Sequence, residues 1–229
     1  MSGILTLIPT PIDDINTLNP ETKEIILNKV NNGCIILIEE ERVGRRRWLN
    51  YGLPRDCIEE FVLFNEHTQG ELSPLMIKEL KAGKDIILMS DCGLPAFCDP
   101  GQLLVDLCHK NKVKVTATAF SNSIALAVAL SGFPHARFIF EGFIPIKKPE
   151  RSSALKRILK QPEMSILMDT PYRLVRVLEE LELLGAKRQI FVGLDLNKVD
   201  EQLYRGAISA IKEKLSNSKR EFILIIGPK

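Results

Sequence analysis

Short apolar runs constrain this chain more than any other feature of its sequence. Ile4–Ile8, Cys34–Ile38, Asp85–Met89, Val113–Ala117, Met164–Met168, Gln189–Leu194 and Phe222–Ile226 each read as a strand that must be covered. Between them lie segments with helical spacing. Asn19-Pro20-Glu21 opens one that Asn31-Asn32-Gly33 closes. Arg42–Tyr51, Glu71–Leu80, Gln102–Lys110, Arg151–Leu159 and Ile208–Leu215 are others, and Arg173–Leu184 puts Leu174, Val177, Leu178, Leu181 and Leu184 on one face. Weaker strand signals fall at Glu60–Phe64 and Arg137–Phe140. Strands alternating with helices imply an α/β architecture. The second half is expected to hold a mixed sheet. A boundary near Thr118–Ser121 divides the chain into domains 1–118 and 119–229. Ile124–Leu130 is apolar on every side and predicts a buried helix.

The segment Met89–Gly101, MSDCGLPAFCDPG, joins one of these strands to the following helix. Asp99 is placed to cap that helix and Pro100 to occupy its first position. In an open α/β sheet such a turn lies at the carboxyl edge, where ligands bind. It contains no Lys or Arg, while Asp91 and Asp99 add negative charge. A triphosphate is thereby disfavoured, and a ligand carrying positive charge and hydroxyl groups is favoured. The alternative is that the two aspartates only shape the turn.

A net charge of +2 declares no nucleic-acid partner by itself. No apolar run is long enough for a membrane span, and the N-terminus lacks a signal-peptide pattern, so a cytoplasmic protein is expected. Five cysteines, an odd number, fit a reducing compartment. Cys92 and Cys98 lack zinc spacing and read as small packing residues, so no metal is expected.

Several motifs share one order and spacing: Ile8-Pro9-Thr10-Pro11-Ile12, Ile38-Glu39-Glu40-Glu41-Arg42, Glu66-His67, Ser90–Gly93 with Cys98–Gly101, Phe140-Glu141-Gly142-Phe143-Ile144-Pro145, Asp169–Arg173 and Leu196-Asn197-Lys198. This set resembles the tetrapyrrole methylase superfamily, and within it the branch that methylates a cytidine ribose 2′-hydroxyl of ribosomal RNA. The resemblance implies two α/β domains of tetrapyrrole methylase type with S-adenosylmethionine in the cleft between them, usually in a homodimer. Carried over by position, it implies cofactor contacts from Pro9, Ser90, Asp91, Cys92, Gly93, Asp99, Pro100 and Gly101. Ser121 and Asn122 stand where the family has a P-G-P-S turn, and Asp169, Thr170 and Pro171 where it has Y-E-S-P.

Methyl transfer to a ribose hydroxyl needs alignment, together with a base or a cation that favours the alkoxide. Glu40, Arg42 and His67 are the candidates, with Glu39 beside them. Glu39 and Glu40 follow a strand and should point to opposite sides. Lys198 is a further candidate substrate contact. Two basic clusters bear on an RNA or ribosomal-subunit partner. Arg42, Arg45, Arg46 and Arg47 precede Trp48, and Lys147, Lys148, Arg151, Lys156, Arg157 and Lys160 form the second. Arginine suits phosphate, and an aromatic can stack on a base. Two rivals stand beside RNA methylation: a small-molecule methyltransferase, and a cofactor-binding protein without turnover, suggested by Ala119–Asn122 and Tyr172, which depart from the family pattern.

Overall fold

The computed structural model describes residues 2–12, 15–120, 122–215 and 219–229. Two compact units divide the chain, Met1–Phe120 and Ser121–Lys229. The first contains β1 (Ile4–Ile8), α1 (Pro20–Asn31), β2 (Ile35–Ile38), α2 (Glu41–Asn50), β3 (Val62–Leu63), α3 (Gln69–Lys81), β4 (Ile86–Met89), α4 (Gln102–Lys110) and β5 (Lys114–Ala117). Its five strands lie in the order β3-β2-β4-β1-β5, and every pair is parallel.

The apolar runs are continuous because both faces of this sheet are covered. Ile8, Ile36, Ile38, Ile87 and Met89 pack with Ile26 of α1 and Trp48 of α2. The alternate residues Leu5, Leu37, Ile86 and Leu88 pack with Met76, Ile77 and Leu80 of α3 and with Leu104 and Cys108 of α4. Gly44 lets α2 settle onto β2, since a Cβ there would meet Ile38 at 3.0–3.2 Å. The weak strand signal before α3 resolves into the end of a short 3₁₀ helix, Arg55–Glu60, and the two-residue β3.

The second unit contains α5 (Ser123–Ser131), β6 (Phe138–Phe143), α6 (Lys148–Lys160), β7 (Met164–Met168), α7 (Leu174–Leu183), β8 (Ile190–Leu194), β9 (Gln202–Gly206), α8 (Ile208–Lys214) and β10 (Phe222–Ile226). The order is β6-β7-β10-β8-β9, with β6 and β7 parallel and the other pairs antiparallel. The sheet is therefore mixed. Helices α6, α7 and α8 cover one face through Leu155, Ile158, Leu178, Leu181 and Ile211. On the other face α5 packs Ile124, Ala127 and Val128 against Met164, Ile166 and Ile225. Within this unit only that stripe of α5 is buried, and Ala125, Ala129 and Leu130 are exposed, so the all-apolar pattern did not mean burial on every side. Among the described residues, no helix is long and apolar enough to cross a membrane.

Candidate active site

Strand order places the site. From β1 and β2 the chain leaves toward the face that carries α1 and α2, while from β4, which lies between them, it leaves toward α4 on the opposite face. The direction of the connections therefore switches on each side of β4 at its carboxyl end, the position where open α/β sheets form a crevice for ligands.

Both sides of that crevice are tied by hydrogen bonds. Toward β1, Thr10 and Gly93 exchange backbone bonds of 2.9 and 3.0 Å. The fully buried Thr10 also donates its hydroxyl to the Ser90 carbonyl at 3.2 Å. Toward β2, the Asp91 N–H donates to Glu39 Oε2 at 3.0 Å, and the Glu40 N–H donates to Asp91 Oδ1 at 3.2 Å. Ser90 turns its hydroxyl toward the Gly93 carbonyl at 3.2 Å. At the far end the Gly101 N–H donates to Gln69 Oε1 of α3 at 3.3 Å.

The turn is wound by left-handed residues. Gly93, Ala96, Cys98 and Gly101 have φ of 86°, 64°, 66° and 128°. Two expectations fail here. Asp99 does not cap α4; Gly101 is the capping residue, without a side-chain bond, and Pro100 lies before the helix because the left-handed Gly101 intervenes. Cys92 and Cys98 are not packed but exposed, since the turn bulges away from the core, whereas Cys34 and Cys108 are buried.

Freed from capping, Asp99 joins Glu39 and Asp91 in one electrostatic group. Burial first, and then the Glu39 charge, push the Asp91 carboxyl up to about 6 despite the Glu40 N–H and the nearby Arg47. Burial and Glu39 push Asp99 up to about 7, partly offset by a hydrogen bond from Ser90. Partly desolvated carboxylates side by side repel an anion and favour a cation. Among the described residues, no group of three or more His, Cys, Asp or Glu is arranged to hold a metal.

The remaining candidates lie around this edge or in the second unit. Pro9 is buried just after β1. Glu40 caps α2, its carboxylate accepting from the Arg42 N–H at 3.0 Å and the Val43 N–H at 2.8 Å. Arg42 is exposed on the first turn of α2, and His67 is exposed in the loop after β3, its N–H on Asn65 Oδ1 at 2.9 Å. In the second unit, Asn122 caps α5 by accepting from Ile124 and Ala125 at 2.8 and 3.1 Å, while Ser121 lies outside the described residues. Asp169, at the carboxyl end of β7, pairs with Arg173 and accepts from the Thr170 N–H at 2.7 Å. Burial holds its carboxyl above the usual range against those two partners, and its Oδ2 has no hydrogen-bond partner among the described residues. Thr170 is exposed and Pro171 half-buried in the 3₁₀ turn that follows.

The first basic cluster comes apart. Arg47 is buried and donates to the Pro11 carbonyl at 2.8 Å and to the Tyr51 hydroxyl at 3.1 Å. Trp48 is fully buried with its indole N–H on the Pro54 carbonyl at 2.7 Å, so it offers no stacking face. Positions 44, 47, 48 and 51 follow the i, i+3, i+4, i+7 spacing of a buried helix face, the signal that identifies them in the sequence. Lys198 is paired with Glu221 at 2.8 Å and Asp195 at 3.6 Å. Thr10 and Gln69 were not anticipated as parts of the site. Thr10 sits in a quoted motif, while nothing local in the sequence marks Gln69.

Residues 20–212 match the family described as Tetrapyrrole (Corrin/Porphyrin) Methylases. The chain is 32% identical to a protein named ribosomal RNA small subunit methyltransferase I from Mesomycoplasma conjunctivae, over 99% of this chain and 92% of that one. In fold it is similar to the crystal structure of a diphthine synthase, with a TM-score of 0.67 and 12% identity over 99% of this chain and 90% of that chain. It is also similar to uroporphyrin-III C-methyltransferase from Thermus thermophilus complexed with S-adenyl homocysteine. There the TM-score is 0.57 and the identity 16%, over 98% of this chain and 97% of that chain.

Proposed function

The chain belongs to the tetrapyrrole methylase family, and from that membership we propose that it is an S-adenosylmethionine-dependent methyltransferase acting on a cytidine ribose 2′-hydroxyl of ribosomal RNA. The observation that carries the acceptor is the match, along nearly the whole of both chains, to the Mesomycoplasma ribosomal RNA methyltransferase. The cofactor fits the residues present. It is cationic at sulfur and at its amino group and has no phosphate, and the edge around β4 gathers three acidic side chains, Glu39 beside Asp91 and Asp99, the two aspartates having raised carboxyls.

When bound, the cofactor supplies a methyl group on a good leaving group. The chain's own residues supply the rest. The bridge between Thr10 and Gly93 and the bonds between Asp91 and the residues Glu39 and Glu40 hold the turn open in one shape. Pro9, Ser90–Gly93 and Asp99–Gly101 are its proposed contacts in the first unit. Asn122, Asp169, Thr170 and Pro171 are proposed contacts in the second, from the places they occupy in the family's order of motifs. His67 takes the hydroxyl proton and Arg42 favours the alkoxide. Glu40 is assigned a positioning role, since both its oxygens fix the first turn of α2 and hence Arg42. The protein is proposed to work in the cytoplasm as a homodimer, which light scattering would register as twice the chain mass.

Incubation with methyl-labelled cofactor, purified small ribosomal subunits, total RNA and a small-molecule extract tests the reading. Ribose label in small-subunit RNA is expected. Label confined to the extract, or cofactor binding without transfer, would overturn it.

A further inference from the structure

Folding thins both basic clusters, leaving Arg42 and Arg46 exposed on α2 and a set of lysines exposed on α6. In the first cluster Arg47 is buried and Arg45 is held by Glu41 at 2.8 Å. In the second, Arg151 is fully buried against Glu180, and Arg157 is clamped by both oxygens of Glu141 at 3.1 and 2.6 Å. The lysines remain. Lys147 and Lys148 stand exposed at the start of α6, and Lys156 and Lys160 stand exposed further along it. Among the described residues none of these four has an acidic ion-pair partner, and Glu150 is the single acid between positions 147 and 160. Lys229 adds its ammonium beside them by donating to the Lys160 carbonyl at 2.9 Å.

The shape and lining of this face narrow the partner. Ser153, Lys156, Arg157, Lys160 and Gln161 border a shallow concavity of about 520 Å³. None of the five has an aromatic ring, and the lining is lysine and arginine heads carried on aliphatic stems. Its cationic heads and open shape suit a chain of phosphates. At 1.5 Å per residue α6 extends this surface over about 20 Å, enough to follow a backbone rather than grip one anion.

We propose that the lysine row of α6 is an RNA-backbone anchor. It holds phosphates without regard to sequence and is distinct from Arg42 and His67, which act on the acceptor. The proposal rests on the reading of the acceptor as RNA.

Full-length protein carrying Lys156→Glu and Lys160→Glu tests it, with Lys156→Arg and Lys160→Arg as the charge-conserving control. Binding to small-subunit ribosomal RNA and to polyuridylate is measured across a salt series, and S-adenosylmethionine affinity reports intact folding. In the Glu variant both RNAs are expected to bind at least about tenfold more weakly, with a salt slope shallower by about 1.5, as two lost phosphate contacts require. KM for ribosomal RNA should rise with kcat unchanged, and the Arg variant should match wild type. Unchanged affinity and slope in the Glu variant, with wild type still methylating ribosomal RNA, would overturn the anchor alone. Wild type that neither binds nor methylates RNA would overturn the acceptor reading and the anchor with it.

Discussion

Asp91 and Asp99 carry the clearest consequences at the scale of single residues. A carboxyl raised from 3.8 to about 6 or about 7 binds its proton more tightly in the folded protein than in the unfolded chain. Folding without ligand is therefore favoured by these two groups as pH falls through 7 and 6, and the benefit fades as pH rises. A cationic cofactor selects the ionised forms, so its affinity should move the other way. Between pH 8 and pH 5.5 we expect affinity to fall by about tenfold or more. Calorimetry in buffers of different ionisation enthalpy should register proton release on binding at pH 6.5. Asp91→Asn and Asp99→Asn should bind more weakly at pH 8 with a flatter profile; an unaltered profile in both would contradict the assignment. Gly101 is the second telling residue. Its φ is +128°, and an added Cβ would lie 2.6 Å from Leu88 Cδ2. Gly101→Ala should cost about 2–4 kcal/mol from backbone strain and overpacking combined, read as a lowered urea midpoint.

Among the elements, α6 and α7 are joined by a buried charge. Arg151 is fully buried, bonds Glu180 through Nε at 2.8 Å and Nη2 at 2.6 Å, and donates Nη1 to the Ile146 carbonyl. Hydrogen bonding from Arg151 holds the Glu180 carboxyl below its usual range. Its stability contribution is accordingly present at neutral pH and lost as pH falls through that lowered value. Arg151→Met leaves Glu180 with the half-exposed Arg176 at 3.5 Å as its ion-pair partner and should cost up to about 3 kcal/mol in equilibrium unfolding at pH 7, while Arg151→Met with Glu180→Leu should recover most of it. In the sequence Arg151 reads as one member of a basic run, because charge patterning does not register burial. The covered strands of the first unit were legible for the opposite reason, since Ile35–Ile38 and Ile86–Met89 must be buried on both faces. β9 was not legible. Gln202–Gly206 is an edge strand that pairs with β8 through its backbone, and its polar residues carry no burial pattern. The motifs located the turn at Met89–Gly101 but not its wiring. The link from Gly101 to Gln69 spans 32 positions and comes from packing.

For the whole molecule, the cores are divided between the two units. The clusters around Trp48 and around Leu104 belong to residues before 121, and those around Leu178 and Ile225 to residues after it. Thermal unfolding should therefore depart from a single two-state transition, with a calorimetric enthalpy above the van't Hoff value. Leu104→Ala and Leu178→Ala should each lower one component by about 2–5 kcal/mol and leave the other in place. A single transition shifted equally by both substitutions would refute this. The strand order of the first unit also bears on synthesis. β4 lies between β1 and β2 and pairs with both, yet it is the fourth strand to be made. A nascent chain emerging only to about residue 85 lacks the strand that joins its first two, and parallel pairs of such long sequence separation form slowly. The turn that follows β4 has no neighbours to bond until that strand inserts. On the proposed assignment, the first unit's share of the cofactor contacts is therefore completed in one step of translation, when β4 inserts, and the second unit's share follows later in the chain.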